Sequence, residues 1–449
     1  MKWVKRVFKL LAAVLLLLVI LLASLITTQD DTPLVDTSFY KQWKEIAADP
    51  AIRPVITADS LKAGWADVNI TPGKPGPMAG YGKRRGKPFV GVHDSVFVRT
   101  LVLESSMTRA AIVSADLLII PPTVTARLRQ LLTPSDIPYE HIYLGATHTH
   151  NSVGGWGTGI SGLFFSGSYD PEVEEYLAQA IVRSLRKAQR HVESATLTYR
   201  EAYDTANINN RLIGDEGTVD PEIRAFELQA KSGRKLTLVT FGAHSTVLNS
   251  GTMLLSRDWP GILLDSLHNG KQESGMYLAG AVGSMAPRSQ GDTDLEAMAD
   301  QGNGVYQALK GVVADTAVTR PGLAALTLPL PLGDPNPRLT TRWALRSWAF
   351  NRLFGEYPNE IKALRLGNIL MIGLPCDFSG ELMAPLDSYA KARGLNLIVT
   401  SFNGGYIGYV TADRWYDLDQ YETVTMNWFG PYKGAYFQEA IKDLIDLFK

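Results

Sequence analysis

Residues 142–159 read IYLGATHTHNSVGGWGTG, a short apolar run that passes two histidines and enters a glycine-rich loop. Residues 142–148 have the length and composition of a strand. Continued through the histidines, the side-chain period of two puts His148 and His150 on one face and Thr147 and Thr149 on the other. The glycines that follow let a ligand approach the backbone. Asp170-Pro171 then opens a long helix, with Val173, Leu177, Ile181, Leu185 and Ala188 on one face. Strand, loop and helix in this order are the unit of an α/β fold. On these residues alone the histidine pair suits a metal or catalytic site and a hydrogen-bonded core pair equally well.

The same alternation continues on both sides. Residues 96–103 (VFVRTLVL), 110–115 (AAIVSA), 222–230, 236–241 and 276–281 read as strands. Residues 123–132, 260–268, 295–314, 380–393 and 437–447 read as helices. Residues 361–366 and 369–373 form an expected hairpin turning at Gly367-Asn368. The expected fold class is α/β: a single large domain with mixed β-sheets flanked by helices. His244 closes the apolar strand LVTFGAH, and Asp377 follows ILMIGLPC. Strand ends are where such sheets place their sites. A catalytic zinc takes three N or O ligands and keeps a position open, so His148, His244 and a carboxylate are eligible. Asp377 is equally eligible as the N-cap of the helix after it.

Composition narrows the function. Among 449 residues, 44 Lys+Arg stand against 45 Asp+Glu, a net charge of −1, which argues against a nucleic-acid partner. A single cysteine, Cys376, excludes an intramolecular disulfide and any multi-cysteine zinc site. At the N-terminus Lys2, Lys5, Arg6 and Lys9 precede an apolar run over residues 10–26. Its length is within the range that spans a bilayer. The run ends without a small-x-small cleavage site, so residues 1–28 are expected as an uncleaved transmembrane anchor, 29–60 as a tether carrying a short amphipathic piece at 43–48 that packs, and 61–449 as one large domain. The basic flank places that domain on the extracytoplasmic side. It would be secreted if the N-terminus were cleaved.

Taken in order, ADVNITP, MAGYG, GVHDSVFVRTLVL, VSAD, ATHTHNSVGG, NINNR, FGAHSTVL, LPCDFSGELM, NGGYIGYVT and YETV resemble the blocks of the neutral ceramidase family. The resemblance begins near Ala66 and runs to the C-terminus, without the family's C-terminal immunoglobulin-like domain. It implies a membrane-tethered, zinc-dependent hydrolase that cleaves an N-acyl amide such as ceramide with zinc-bound water. A related amidase or esterase, or a non-catalytic lipid-binding relative, is the alternative. The implied partners are a lipid or N-acyl substrate and the membrane. The implied Zn²⁺ ligands are His148, His244, Asp377 in place of the family's glutamate, and Tyr409. The implied catalytic residues are His150 for substrate polarisation or proton transfer, Arg211 and Tyr421. The chain departs from the family at GSMAPR, residues 283–288, where the family's serine falls on Ala286 and its aspartate on Ser284. Ser284 is expected to hydrogen-bond its own backbone.

Overall fold

The computed structural model describes residues 2–449 other than 57–59, 269, 271, 313, 319, 320 and 357. Helix α1 (Lys2–Leu25) leads into strand β1 (Ile26–Thr28) and helix α2 (Ser38–Ala48). Strands β2 (Lys62–Asn69), β3 (Phe97–Glu104) and β4 (Arg109–Ala115) follow, then α3 (Pro122–Leu131), β5 (Ile142–Ala146), α4 (Gly159–Ser166) and α5 (Pro171–Gln189). Next come β6 (Glu193–Tyr203), β7 (Glu222–Ala230), β8 (Lys235–Phe241), α6 (Trp259–Leu267), β9 (Glu273–Ala279) and α7 (Asp294–Lys310). The chain continues through β10 (Ala314–Val318), β11 (Leu323–Pro329), β12 (Trp343–Leu345) and α8 (Ser347–Phe354). It closes with β13 (Glu360–Leu366), β14 (Ile369–Gly373), α9 (Met383–Lys391), β15 (Asn396–Thr400) and α10 (Lys433–Leu447).

The larger sheet has the order β9-β8-β7-β6-β2-β3-β4-β5, with β10 also paired to β6; the smaller has the order β11-β13-β14-β15. Both are mixed. The parallel pairs are β4 with β5, β8 with β9, and β14 with β15. Period-two alternation sorts the side chains into layers. Val98 and Val102 of β3 and Val239 and Phe241 of β8 face helices α3, α5, α6 and α7. Their neighbours Leu101, Leu103, Leu236 and Leu238 meet Leu364, Ile369 and Met371 of the smaller sheet. Leu370 and Ile372 point the other way, into a core shared with α9 and α10. The result is a four-layer α–β–β–α stack. The C-terminal ends of its parallel strands deliver the residues of interest: β5 toward His148, β8 toward His244, β14 toward Asp377, and β15 toward Tyr406 and Tyr409.

Two expectations about the edges of the domain are revised. The stretch expected as a tether packs on the domain well beyond residues 43–48, through Leu34, Phe39, Tyr40, Ile52 and Ile56 as well as Trp43. Thr37 caps α2, Trp43 is fully buried, and its indole N–H donates to Asp443 at 2.9 Å while Lys44 pairs with the same carboxylate. The N-terminal segment also ends earlier than residue 28. Helix α1 is exposed along its length and is long and apolar enough to cross a membrane, whereas Ile26–Thr28 pairs antiparallel with Trp343–Leu345. Deleting residues 1–25 is therefore expected to give a detergent-free protein with an intact β1–β12 ladder. Deleting 1–28 is expected to lower the melting temperature, because the edge of β12 loses its partner. Thermal melts of the two truncations side by side check this; equal melting temperatures would assign β1 to the anchor instead. The helix expected over 295–314 also stops at Lys310, and the chain turns at Gly311 into β10.

Candidate metal centre

Strand β5 stops at Ala146, two residues before His148, so the histidines leave the sheet on a loop and not on an extended strand. His148 has φ +61°, the left-handed region that non-glycine residues rarely occupy. The surrounding contacts hold it there. Ser245 donates to Thr147 O at 2.6 Å, Thr149 to Ser256 O at 2.8 Å, and Asn151 to Thr252 O and Leu254 O. The guanidinium of Arg84 grips His150 O and the Asn151 side-chain oxygen. Phe402 stacks on the His148 ring with centroids 3.9 Å apart. Gly80 makes room for His150: a Cβ there would lie 2.7 Å from the His150 Cβ. The turn brings His148 Nε2 and His150 Nε2 to 3.2 Å.

His244 sits just beyond β8, with its carbonyl held by the Trp259 indole at 2.9 Å. His148 Nδ1 lies 2.7 Å from Leu118 O, and His244 Nδ1 lies 2.7 Å from Val282 O. Each Nδ1–H therefore donates to a carbonyl, which fixes the tautomer and leaves the Nε2 lone pair facing inward. The nearest ligand atoms of His148, His150 and His244 all lie within 4.8 Å of one another. Asp377 is fully buried. Its Oδ2 accepts from the Tyr406 hydroxyl at 2.7 Å, and its Oδ1 lies 3.2 Å from His244 Nε2 and 3.7 Å from His148 Nε2. Ser379, not Asp377, caps the turn that follows, so the capping alternative for Asp377 falls away. The Tyr409 oxygen is 3.1 Å from His244 Nε2 and accepts from Arg211 Nη2 at 2.8 Å. Arg211 is fixed in turn by Glu422, whose Oε1 takes its Nε–H at 2.6 Å.

All four expected ligands thus occupy one buried cluster, with His150 half-buried beside them and Arg211 at its solvent-exposed rim. Tyr421 stands at its outer edge, half exposed, its ring 6.0 Å from that of Tyr409. Ser284 differs from expectation. Its hydroxyl donates to Glu422 Oε2 at 2.9 Å and not to its own backbone. Ala286 pairs with Asn209 in a short ladder. Neither lines the cavity of about 270 Å³ above the histidines. That cavity has His148, His150, Tyr409 and Tyr421 at one end and Trp156, Phe165, Phe350, Phe354 and Trp428 along its walls.

Burial pushes His148 down to about 3, and holds His150 and His244 well below the ordinary histidine value. At all three positions burial favours the neutral imidazole, the form that binds metals. Burial raises Asp377, against the pull of His148, Tyr406 and Arg211. Burial alone would lower Arg211; Tyr409 and Glu422 more than offset it and keep the guanidinium charged. Asp377 Oδ1 has no hydrogen-bond donor although it is buried. A buried carboxylate oxygen facing the Nε2 atoms of two imidazoles is a donor set that fits a divalent cation of zinc type. Reasoning from sequence missed three supports: Tyr406 behind Asp377, Glu422 behind Arg211, and Arg84 under the histidine loop. Tyr406 and Glu422 lie inside the NGGYIGYVT and YETV blocks, but no local pattern marks their partners.

The sequence profile of the neutral/alkaline non-lysosomal ceramidase family, N-terminal part, matches residues 62–297, more than half of the chain. The chain belongs to this family. The neutral ceramidase of Pseudomonas aeruginosa is 25% identical over 211 residues, covering 43% of this chain and 31% of that protein. The match thus spans about a third of the relative's length. The fold agrees more widely. The crystal structure of neutral ceramidase from Pseudomonas aeruginosa superposes with a TM-score of 0.78 at 17% identity, covering 87% of this chain and 74% of the other. A ceramidase complexed with C2 superposes with a TM-score of 0.77 at 17% identity, covering 86% and 75%. The family and the mixed α/β fold expected from sequence are therefore established.

Proposed function

We propose that this member of the ceramidase family is a zinc-dependent hydrolase of N-acyl amides of the ceramide type, held at a membrane by α1. The single observation that carries the metal is the orphaned Asp377 Oδ1 facing His148 and His244. In this reading His148, His244, Asp377 and Tyr409 hold the ion. Zinc, when bound, supplies Lewis acidity toward the acyl carbonyl and lowers the pKa of water from about 15.7 toward about 7. Burial holds the Tyr409 phenol well above its ordinary value, Arg211 places its charge against the Tyr409 oxygen and opposes that rise, and Glu422 keeps Arg211 aimed. His150, neutral and beside His148, transfers the proton from the attacking water to the departing amine as the C–N bond breaks. The Tyr421 hydroxyl, at the mouth, donates to the developing oxyanion. The aromatic walls take the acyl chain, and burying apolar surface there contributes about 25 cal/mol per Å². Residues 2–25 form the anchor, with the basic N-terminus cytoplasmic and the domain on the extracytoplasmic side.

The test is a panel of long-chain N-acyl amides and matched esters, with release of fatty acid measured before and after chelation. The account expects amide hydrolysis that chelation abolishes. Hydrolysis of the esters with no hydrolysis of the amides would make the protein an esterase. Stoichiometric zinc without turnover of any substrate would make it a lipid-binding relative. A milder change probes the support of the metal. Tyr406→Phe removes only the hydroxyl that holds Asp377 Oδ2. It is expected to weaken zinc affinity by roughly 10–100-fold, the usual effect of losing an outer-shell partner, measured by competition with a chelating dye. Unchanged affinity would remove Asp377 from the ligand set.

A further inference from the structure

Helix α1 does not leave the domain at an arbitrary point. Two of the carbonyls left open at its C-terminal end are taken by residues at the start of α8. Arg346 N donates to Leu25 O at 2.8 Å, and the Trp348 indole donates to Ser24 O at 3.2 Å. The next three residues are strapped to β12 by the β1 ladder, and Gln29 N continues the attachment to Arg342 O. Helix α8 is the lip of the cavity. Phe350, one turn beyond Arg346 and bonded to it through the backbone, lines the cavity, as does Phe354. About 6 Å of helix therefore separates the end of the apolar span from the cavity wall.

Helix α4, which packs on α8 through the Ser161–Leu353 O hydrogen bond, carries Ile160, Leu163 and Phe164 at spacings of three and four, all about half exposed. Trp348 on α8 is also half exposed. An apolar helical face open to water is uncommon on a soluble surface. Exposed basic residues flank it: Arg342, Arg346 and Arg352 on the α8 side, and Lys83, Arg85 and Lys87 on the loop whose Gly82 lies against Phe164 and Phe165. Two acids, Asp334 and Glu356, lie on the cavity wall. An apolar and tryptophan-bearing face with a basic margin is the chemistry of a surface seated in lipid headgroups.

We propose that the cavity opens directly onto the leaflet that anchors the chain: the β1–β12 strap holds the membrane-spanning helix against the α8 lip, and Ile160, Leu163, Phe164 and Trp348 sit in the lipid interface beside the cavity mouth. This rests on the reading of α1 as a membrane anchor. The substrate then passes from bilayer to cavity without crossing water, and the enzyme works on its own membrane and not on a facing one.

The test uses the full chain in vesicles of phosphatidylcholine and phosphatidylglycerol, with an environment-sensitive NBD label on a single introduced cysteine. The native Cys376 is buried and out of reach. Phe164→Cys and Trp348→Cys probe the proposed face. Ser232→Cys, on the turn at the opposite end of β8, is the reference. The expected result is a blue shift and a loss of emission to nitroxide-bearing lipids at 164 and 348, with neither at 232. Labels at 164 or 348 that stay water-like and unquenched overturn the docking surface, and failure of the chain to float with the vesicles overturns it together with the anchor. The readout needs no turnover. Quenched labels on a chain that hydrolyses nothing would sink the hydrolase reading alone, and unquenched labels on an active chain would sink this surface alone.

Discussion

His148→Ala and His244→Ala are each expected to bring the zinc content of the purified chain to background and to abolish hydrolysis, an effect larger than the roughly 10–100-fold of an outer-shell change. Each substitution removes one donor of a small set and leaves Asp377 facing an incomplete shell. Position 148 needs a control, because its left-handed backbone is unfavourable for alanine. His148→Asn supplies it: asparagine tolerates that conformation but does not restore the imidazole. If His148→Asn melts like the parent and lacks zinc, the loss is one of ligation and not of folding. Stoichiometric zinc in both the His148→Asn and His244→Ala proteins would contradict the ligand assignment.

His150→Ala is expected to lower kcat by roughly 10²–10⁴-fold, the usual worth of positioned proton transfer. Ser284→Ala is expected to lower it by less than about tenfold, because a true nucleophile would cost orders of magnitude. The structure sharpens the contrast. The Ser284 hydroxyl is occupied by Glu422, and the residue is absent from the cavity wall, whereas His150 lines it. Zinc content divides the possible roles of His150, whose Nε2 is close enough to His148 to join the ligands. Zinc retained in His150→Ala assigns it to proton transfer, and zinc lost assigns it to the metal. A collapse of activity in Ser284→Ala with zinc intact would replace the water mechanism by attack from Ser284.

Much of this arrangement was legible in the sequence because it depends on strand ends. The apolar runs before His148, His244 and Asp377 are ordinary β5, β8 and β14, and the alternation within them fixed the α/β class. The backbone at His148 was not legible. Extended pairing was expected through residue 148, but the strand ends at Ala146, and the left-handed turn is held by Ser245, Arg84 and Phe402, which are distant in sequence. The same holds for Glu422, whose meaning comes from Arg211 and Ser284, and for Asp377, which local pattern could not separate from a helix cap. Residues 29–60 read as a tether with a packing piece at 43–48, but where that piece packs was not legible, because the partner of Trp43, Asp443 on α10, lies 400 positions away. In each case a tertiary contact decides what local pattern leaves open.

The central claim is that one zinc ion, held by His148, His244, Asp377 and Tyr409, makes the protein an amide hydrolase. The direct measurement is a titration of the chelated, full-length protein with zinc while fatty-acid release from a long-chain N-acyl amide is followed. The account predicts that activity rises in proportion to added zinc and stops at one equivalent per chain. Hydrolysis that survives chelation, and does not respond to zinc returned to the protein, would contradict it.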